Sequence, residues 1–280
     1  MKNTDTVVSD IYHMIDTKEI PEGVDVEQIV ESFGEKCKEM MRNNITESKF
    51  DRRKLRMSNI GKKDRQLWYD YNGYDKEPLS TATRIKFLLG HIIEELTLFL
   101  VREAGHEVTM CQEEVKVNGV KGHIDAMIDG ELVDVKSASP YGFRKFHNGS
   151  LKNDDPFGYI YQISSYAKAL KKDAGYFLAV DKSNGFMTLL KTDVTDVNPE
   201  ERIDQLRKTL TDKEPPEKCY QPTEEANGNK KLAIGCKFCD FKKICWEDSN
   251  GGFGLRKFKY ASGDEYYVHV EKEPRVREDF

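Results

Sequence analysis

Apolar residues recur every three to four positions in several segments of this chain and alternate with polar residues in the segments between them. The first spacing is typical of amphipathic helices and the second of half-buried strands. Helices are predicted over Asp5–Lys18, Val26–Asn44, Thr81–Ala104, Phe157–Lys172 and Asn198–Thr211. Strands are predicted near Glu107–Val117, over Gly175–Val180 and Phe186–Leu190, and in hairpins over His123–Ser137 and Phe258–Val270. This order of elements predicts a mixed α/β fold with a central mixed β-sheet flanked by helices.

The first of these hairpins contains a strong turn signal. In GHIDAMIDGELVDVKSA, residues 122–138, Asp129-Gly130 suits a type I′ turn, which needs a positive φ at both central residues. If these two residues form the turn, Ile128 lies opposite Glu131. Counting outward from that pair then fixes the partner of every other residue in the hairpin.

This register gathers two acidic residues and one basic residue on a single face. Asp125 lies opposite Asp134, at a Cβ separation of roughly 5 Å where like charges repel, and Lys136 shares the face of Asp134. Two structural explanations compete: an exposed ion pair beside a solvated aspartate, or a register shifted by one residue, which would turn Asp125 away. A divalent cation between the carboxylates is the simplest remedy for their repulsion, because carboxylate oxygens suit Mg²⁺ and Mn²⁺.

Composition adds limits to this picture. The 280 residues contain 38% hydrophobic residues and carry a net charge of −5, which argues against a uniformly basic nucleic-acid coat but allows a local basic surface. The start MKNTDTVVSD has no apolar signal region, and the apolar stretch Ile85–Val101 is interrupted by ionisable residues. We therefore expect an intracellular, cytoplasmic protein without a membrane partner, in which six cysteines favour metal binding or buried thiols over disulfides.

Two helices carry further candidate site residues. His91, Glu94 and Glu95 lie at helical positions i, i+3 and i+4, so they share one face of an otherwise apolar helix. That face is either a narrow stripe exposed to solvent, or it faces the hairpin and supplies a third carboxylate from Glu94 and an imidazole from His91. Gln162 and Tyr166 lie four residues apart on the helix that follows the hairpin, a spacing that alone says little.

The cysteine spacing near the carboxyl end is more specific. Cys236, Cys239 and Cys245 form C-x2-C-x5-C, which is typical of a knuckle around zinc or an iron–sulfur cluster. Cys219 lies just upstream and is chosen as the fourth ligand. Cys111 is interpreted as a strand residue without a role.

Residues 51–65 carry seven Lys or Arg against two Asp and are followed by LWYDYNGY. This segment is either a solvated linker or a track for a phosphate backbone with aromatic platforms for single-stranded bases. The residues predicted to bind nucleic acid are Arg52, Arg53, Lys62, Lys63, Arg65, Trp68 and Tyr69.

The ordered set of motifs resembles the PD-(D/E)XK nuclease superfamily, and within it the RecB-like exonucleases, including the CRISPR-associated and phage-encoded branch with a cysteine cluster. The resemblance covers residues 58–246, in the order Gly90–Glu94, Asp125, Asp134-Val135-Lys136, Gln162–Tyr166 and the cysteine triplet. It implies a restriction-endonuclease-like core over 58–218, after a helical region over 1–57. The third predicted part of the chain, over 219–280, contains the cysteine cluster and a carboxyl-terminal hairpin.

The resemblance also implies a site. The residues expected to be catalytic are Glu94, Asp125, Asp134, Lys136, Gln162 and Tyr166. The expected ligands of Mg²⁺ or Mn²⁺ are His91, Glu94, Asp125, Asp134 and the carbonyl of Val135. Relatives often have a cysteine where this chain has Asp64, so Asp64 and Cys37 stand behind Cys219 as fourth ligand. The resemblance favours a [4Fe–4S] cluster, with zinc as the alternative.

The function expected from the resemblance is a metal-dependent DNA exonuclease acting in recombination or replication of a phage or mobile element, in the host cytoplasm if phage-encoded. Its partner would be DNA, either single-stranded or as duplex ends. Other recombination or replication proteins are further candidate partners, and the resemblance is compatible with an oligomer. Two alternatives stay open: a non-catalytic nucleic-acid-binding subunit on the same fold, and a restriction-type endonuclease.

Overall fold

The structure is a computed structural model that describes residues 2–45 and 54–279. Its chain forms two compact units. The first contains the amino-terminal helices, Leu55–Gly61 and Leu79–Asp204, and the second contains Lys62–Pro78 and the chain from Gln205 onward. This division differs from the expected one in two respects. The first amino-terminal helix shares a core with the central sheet, and residues 62–78 fall in the same unit as the cysteine segment.

Helices and strands are numbered here in chain order. The helices are α1 (Val7–Thr17), α2 (Val26–Ile45), α3 (Asp64–Tyr71), α4 (Thr81–Glu103), α5 (Pro140–His147), α6 (Tyr159–Ala169), α7 (Pro199–Thr211), α8 (Ile234–Lys237), α9 (Lys242–Cys245) and α10 (Ser249–Gly252). The strands are β1 (Val108–Thr109), β2 (Glu114–Val117), β3 (Val120–His123), β4 (Ala126–Ile128), β5 (Glu131–Ala138), β6 (Ala174–Asp181), β7 (Met187–Asp193), β8 (Thr223–Glu224), β9 (Lys230–Lys231), β10 (Arg256–Tyr260) and β11 (Gly263–His269).

The first unit is built on a five-stranded sheet with the order β1-β4-β5-β6-β7. Strands β5 and β6 pair in parallel, while the other neighbours pair antiparallel. The prediction of a mixed α/β fold with a central mixed sheet and flanking helices is therefore confirmed.

The hairpin of β4 and β5 has the register predicted from its turn. Ile128 pairs with Glu131 and Ala126 with Val133. Asp129 and Gly130 both have positive φ, at 49° and 80°, as a type I′ turn requires. The short Asp-Gly turn thus fixes which residues of β5 face which side.

The prediction of one strand over His123–Ile128 was wrong in detail. Strand β3 ends at His123 and pairs with β2 in a separate two-stranded sheet. Its turn is Asn118-Gly119, with φ of 43° and 77°, a second type I′ signal that the sequence analysis did not use. Helices α3 and α5 were also missed; Pro140 lies in the first turn of α5, and the Ser139 side chain caps it.

One face of the central sheet packs against α1 and α4. The residues of this core are buried and come from both helices and from three strands: Val7, Ile11, Met14, Leu98, Val101, Ala104, Ala126, Ile128, Val133, Val135, Tyr176 and Leu178. Since side chains alternate along a strand, the core positions of Val133 and Val135 direct Asp134 and Lys136 to the other face.

Helix α6 begins where two backbone segments meet closely. The Asp155 carboxylate accepts hydrogen bonds from the backbone N–H groups of Gly158 and Ile160, at 2.9 and 2.8 Å. A Cβ placed on Gly61 would lie 2.4 Å from the Cα and from the carbonyl oxygen of Gly158. Only glycine at position 61 permits this approach, which fixes the start of the helix that carries Gln162 and Tyr166.

The second unit contains a four-stranded sheet with the order β10-β11-β9-β8. The predicted terminal hairpin is confirmed by the antiparallel pairing of β10 with β11. Its core includes Leu232, Cys236, Trp246 and Val268. Of the helices in the described part of the chain, none has the length and apolar character needed to cross a membrane.

The close approach at Gly61 generates a stability prediction. We expect Gly61→Ala to lower the free energy of unfolding by about 1–3 kcal/mol, because the added methyl group overlaps backbone atoms that cannot rotate away. Gly34→Ala is the matched control, since Gly34 lies within α2 and a Cβ there meets nothing within 4 Å. That substitution should raise stability by up to about 1 kcal/mol. Equal urea midpoints for Gly61→Ala and the unmodified protein would contradict the contact.

Candidate active site

Asp134 is the most deeply buried acidic residue of the hairpin. Its side chain is 1% exposed, and within the described residues neither carboxylate oxygen has a hydrogen-bond partner. The Lys136 ammonium contacts Oδ2 as an ion pair without hydrogen-bond geometry. Burial raises the pKa of Asp134, although Lys136 opposes the shift. Such an unsatisfied carboxylate is destabilising unless a cation joins it.

Asp125 lies just before β4 and is turned towards β5. Its Oδ2 accepts a hydrogen bond from the backbone N–H of Val135 at 2.7 Å. Burial raises the pKa of Asp125 well above its ordinary value, and the negative charges of Asp134 and Glu94 add to the shift. The two aspartates therefore repel each other, as the predicted register requires.

Glu94 joins the aspartates from α4. Burial raises the pKa of Glu94 to about 7, with further contributions from Asp134 and Glu95. Its Oε1 accepts a hydrogen bond at 2.8 Å from Nε2 of Gln112, a residue that the sequence analysis missed. Gln112 has a φ of 56°, an uncommon value for a residue with a side chain, and unusual backbone of this kind is often found at functional sites.

Lys136 lies between the carboxylates and an aromatic ring. Its side chain is 16% exposed, and Nζ lies 4.8 Å from the centroid of the Tyr159 ring. Burial lowers the pKa of Lys136, but the carboxylates of Asp134 and Asp125 outweigh it and raise the pKa above its ordinary value. Lys136 is therefore held as an ammonium ion, which suits stabilisation of negative charge better than proton abstraction.

Gln162 and Tyr166 are in contact on α6. Gln162 Nε2 donates to the Tyr166 hydroxyl at 3.1 Å. Burial raises the pKa of Tyr166, which therefore stays protonated near neutral pH. A Cβ on Gly122 would lie 2.7 Å from the Tyr166 ring, so the glycine of β3 provides the space for that ring. Sequence reasoning missed this role of Gly122, because nothing local marks which strand a distant tyrosine will cover.

His91 is not brought to the carboxylates. It is an exposed residue of α4, and within the described residues it makes no hydrogen bond or ion pair with Glu94, Asp125 or Asp134. The carbonyl of Val135 belongs to a residue paired with Leu178 of β6. The proposed roles of His91 and of this carbonyl as ligands stay predictions.

Whether the site could hold a divalent cation depends on the side-chain oxygens that it offers as ligands. No three His, Cys, Asp or Glu side chains are arranged as a preformed metal site anywhere in residues 2–45 and 54–279. The chemistry of the donors nevertheless fits Mg²⁺ or Mn²⁺, since the buried Asp134 carboxylate, whose Oδ2 contacts only the Lys136 ammonium and whose Oδ1 has no partner among the described residues, interacts with the carboxylates of Asp125 and Glu94. The hydrogen bonds from Val135 and Gln112 hold the other two carboxylates in their present rotamers.

The four predicted cluster cysteines all belong to the second unit. Burial, together with the charges of Cys219, Cys239 and Cys245, raises the pKa of Cys236 to about 12. Arg65 Nε donates to the sulfur of Cys245 at 3.1 Å. The choice of Cys219 as the fourth ligand stays a prediction.

The predicted stacking platforms were wrong. Trp68 and Tyr69 are 3% and 5% exposed. Trp68 donates from Nε1 to the carbonyl of Asp212 at 2.9 Å, and its ring packs against Tyr69 and Tyr74. The Trp68 and Tyr69 rings therefore form the buried, apolar side of α3 and are not available for stacking on a base.

The basic residues of the same segment differ in their contacts. Arg65 is engaged with Cys245, with the Pro216 carbonyl and with the Tyr69 hydroxyl. Lys63 places its ammonium 5.5 Å from the Tyr220 ring centroid. A role for Lys62 and Lys63 in binding nucleic acid stays a prediction, while Arg52 and Arg53 lie outside the described residues.

Comparison with known proteins found no matching family model and no matching curated protein. Among solved structures, SSO0001 is similar at a TM-score of 0.40 and 15% identity, covering 76% of this chain and 94% of that one. An alkaline exonuclease from Laribacter hongkongensis is similar at a TM-score of 0.39 and 15% identity, and the match covers 62% of this chain and 92% of that one. A phage-related exonuclease from Haemophilus somnus is similar at a TM-score of 0.35 and 13% identity, and the match covers 61% of this chain and 93% of that one. Similarities this low neither assign the chain to a family nor indicate its activity.

Repulsion between the two aspartates can be measured directly. In buffer that contains a chelator at pH 8, we expect Asp125→Asn to raise the free energy of unfolding by about 1 kcal/mol, because one like charge is removed. The amide oxygen can still accept the Val135 hydrogen bond.

Asp196→Asn is the control for this substitution, since Asp196 is 64% exposed and pairs only with Lys152 in the described structure. It should change stability by less than about 0.5 kcal/mol. A loss of stability in Asp125→Asn, measured by urea unfolding, would show that the aspartates do not repel each other.

Proposed function

We propose that this protein is a metal-dependent DNA nuclease, and most specifically an exonuclease. The observation that carries the proposal is the Asp134 carboxylate, which is buried, has no hydrogen-bond partner in the described residues and lies beside two further carboxylates and an ammonium group. A divalent cation would satisfy these oxygens, and phosphodiester hydrolysis is a reaction for which such a site is suited.

The carboxylates of Asp134, Asp125 and Glu94, with the carbonyl of Val135 and with His91 as a further candidate, would hold one or two Mg²⁺ or Mn²⁺ ions. Bound there, the metal would lower the pKa of a water molecule and offset charge on the scissile phosphate. The residues of the chain would orient the phosphate and exclude bulk water around it.

Lys136 has the role of a fixed cation. Its position between Asp134 and the Tyr159 ring limits its movement, and its ammonium would stabilise the negative charge that develops on the phosphate oxygens. The side-chain amide of Gln162 and the hydroxyl of Tyr166 are candidates for contacts to the DNA strand beside the cut. Because Tyr166 stays protonated, it would donate a hydrogen bond to a phosphate oxygen.

Two alternatives to an exonuclease are a DNA-binding protein without activity and an endonuclease. A non-catalytic DNA-binding subunit would not need three carboxylates and a lysine gathered at one site, so the site favours the enzyme. A restriction-type endonuclease would use the same residues and differs only in where it cuts. The exonuclease assignment rests on the resemblance of the motif order, and so do a role in recombination or replication of a phage or mobile element and a cytoplasmic setting.

The second unit would carry a [4Fe–4S] cluster, with zinc as the alternative, on Cys219, Cys236, Cys239 and Cys245. The electrostatic interaction of Cys236 and Cys239 with Cys219 and Cys245 supports the proposal, because thiolates that repel one another are stabilised by a shared metal. In this arrangement the group has a structural role, since small cysteine-rich segments often fold around their metal.

Loss of activity in site variants tests the proposed function. We expect Lys136→Ala and Asp134→Ala to shorten end-labelled DNA at least about 100-fold more slowly than the unmodified protein in Mn²⁺ buffer, because each removes a charge needed at the phosphate. Lys152→Ala is the control, since Lys152 is an exposed residue paired with Asp196, and its rate should not change. A time course on gels with 5′- and 3′-labelled strands measures all four proteins.

The same assay separates the alternatives. A chelator should stop the reaction, and covalently closed circles should survive. Cleavage of circles would favour the endonuclease, and a gel shift without shortening would favour the binding subunit. Digestion by Lys136→Ala at the unmodified rate would remove the proposed mechanism.

Metal content tests the cysteine site. We expect Cys236→Ser to lose most of the iron or zinc that the purified protein carries, because three thiolates seldom retain a structural metal. Cys111→Ser is the matched control, since Cys111 is a free cysteine to which no ligand role is given, and its metal content should equal that of the unmodified protein. Elemental analysis measures both; a brown colour with equal iron and sulfide identifies the cluster. Purified protein without iron or zinc would contradict this site.

A further inference from the structure

Phe157 is a large apolar side chain that the fold leaves on the surface. It is 62% exposed, although it lies in the segment that leads directly into α6. One side of its ring stacks on Tyr159, with the ring centroids 5.4 Å apart and the planes inclined by 27°. One aromatic face is therefore supported by the protein while the rest of the ring is open.

This open ring lies one aromatic residue away from the candidate active site. Tyr159, on which Phe157 stacks, is the same residue whose ring centroid lies 4.8 Å from Lys136 Nζ. Lys136 in turn contacts Asp134. Phe157, Tyr159 and Lys136 thus form a continuous series from the surface to the carboxylates.

The segment that carries Phe157 is held firmly. Asp155 accepts two backbone hydrogen bonds that close the turn around Phe157, from Gly158 and Ile160. The adjoining Gly158 packs directly on the backbone of Gly61. An exposed ring on such a rigid support is preorganised, so a flat partner would bind without ordering the loop first.

Three other exposed aromatic residues of the first unit, Phe87, Tyr141 and Phe186, lack this combination. Phe87 is 57% exposed on α4, and no aromatic ring of the described residues stacks on it. Tyr141 is also 62% exposed, but Lys145 and Arg144 place their cations 4.9 and 5.8 Å from its ring centroid. Phe186 is 62% exposed as well and lies in the turn between β6 and β7. Within the described residues, its ring has no recorded aromatic or cationic neighbour.

We propose that Phe157 binds an unpaired nucleobase of the DNA strand, next to the phosphate that is cut, by stacking on its open face. The inference rests on the proposed function and specifies the form of substrate that the site takes. Bases inside a duplex already have both faces covered, whereas an unpaired base offers a face to an aromatic ring whatever its identity. Phe157 therefore favours single-stranded or frayed ends over intact duplex.

The test measures binding without added divalent cation and with a chelator, so that DNA is not cut. Single strands carry 2-aminopurine at successive positions from each end, since stacking quenches its fluorescence. We expect quenching at one position near an end, and about tenfold weaker binding with loss of this quenching in Phe157→Ala. Phe157→Trp should retain both, and Phe186→Ala should behave like the unmodified protein.

An abasic nucleotide at the quenched position gives the decisive comparison. With no base to stack, the unmodified protein and Phe157→Ala should bind equally. Equal binding of intact strands by these two proteins would overturn the inference, as would equal weakening by Phe157→Ala and Phe186→Ala, or a difference that persists on the abasic strand. Unmodified protein that neither binds nor shortens any DNA would instead overturn the proposed function, and the inference with it.

Discussion

The Asp134 carboxylate lies in the middle of the central sheet, shielded from water, with Oδ2 against the Lys136 ammonium and with no partner for Oδ1 among the described residues. Burying a charge in this way costs several kcal/mol, and a neighbouring acid adds to that cost. The cost is imposed by the sheet itself. Val133 and Val135 must face the core, so the residue between them must face the other way.

The rest of the site is arranged around that carboxylate. Asp125 is held by the Val135 N–H, Glu94 by Gln112, and Lys136 by Asp134 and the Tyr159 ring. These residues come from α4, from the turn between β1 and β2, from the β4–β5 hairpin with the residue before it, and from α6. The site therefore forms only when all of these segments are in place.

Local signals predicted the hairpin well. Asp129-Gly130 determines its own turn geometry, and the turn determines the register, so the pairs from Ile128–Glu131 to Ala126–Val133 could be predicted without any structure. Asp125 lies just beyond the last of these pairs. The spacing of Gln162 and Tyr166 likewise gives their contact, because residues four apart on a helix are neighbours.

Contacts between distant segments could not be predicted in the same way. The hydrogen bond from Gln112 to Glu94 and the space that Gly122 leaves for Tyr166 depend on how separate elements pack. Trp68 was expected on the surface because basic residues precede it, yet composition does not distinguish a stacking platform from the apolar side of a helix. The structure buries it instead.

Binding of a divalent cation by the carboxylates around Asp134 can be measured directly, by titration of metal-free protein with Mn²⁺ followed by calorimetry or by electron paramagnetic resonance. We expect saturable binding that Mg²⁺ displaces and that Asp134→Asn abolishes, with Asp196→Asn unaffected. If the unmodified protein bound no Mn²⁺, or if Asp134→Asn bound it equally well, these carboxylates would not form a cation site.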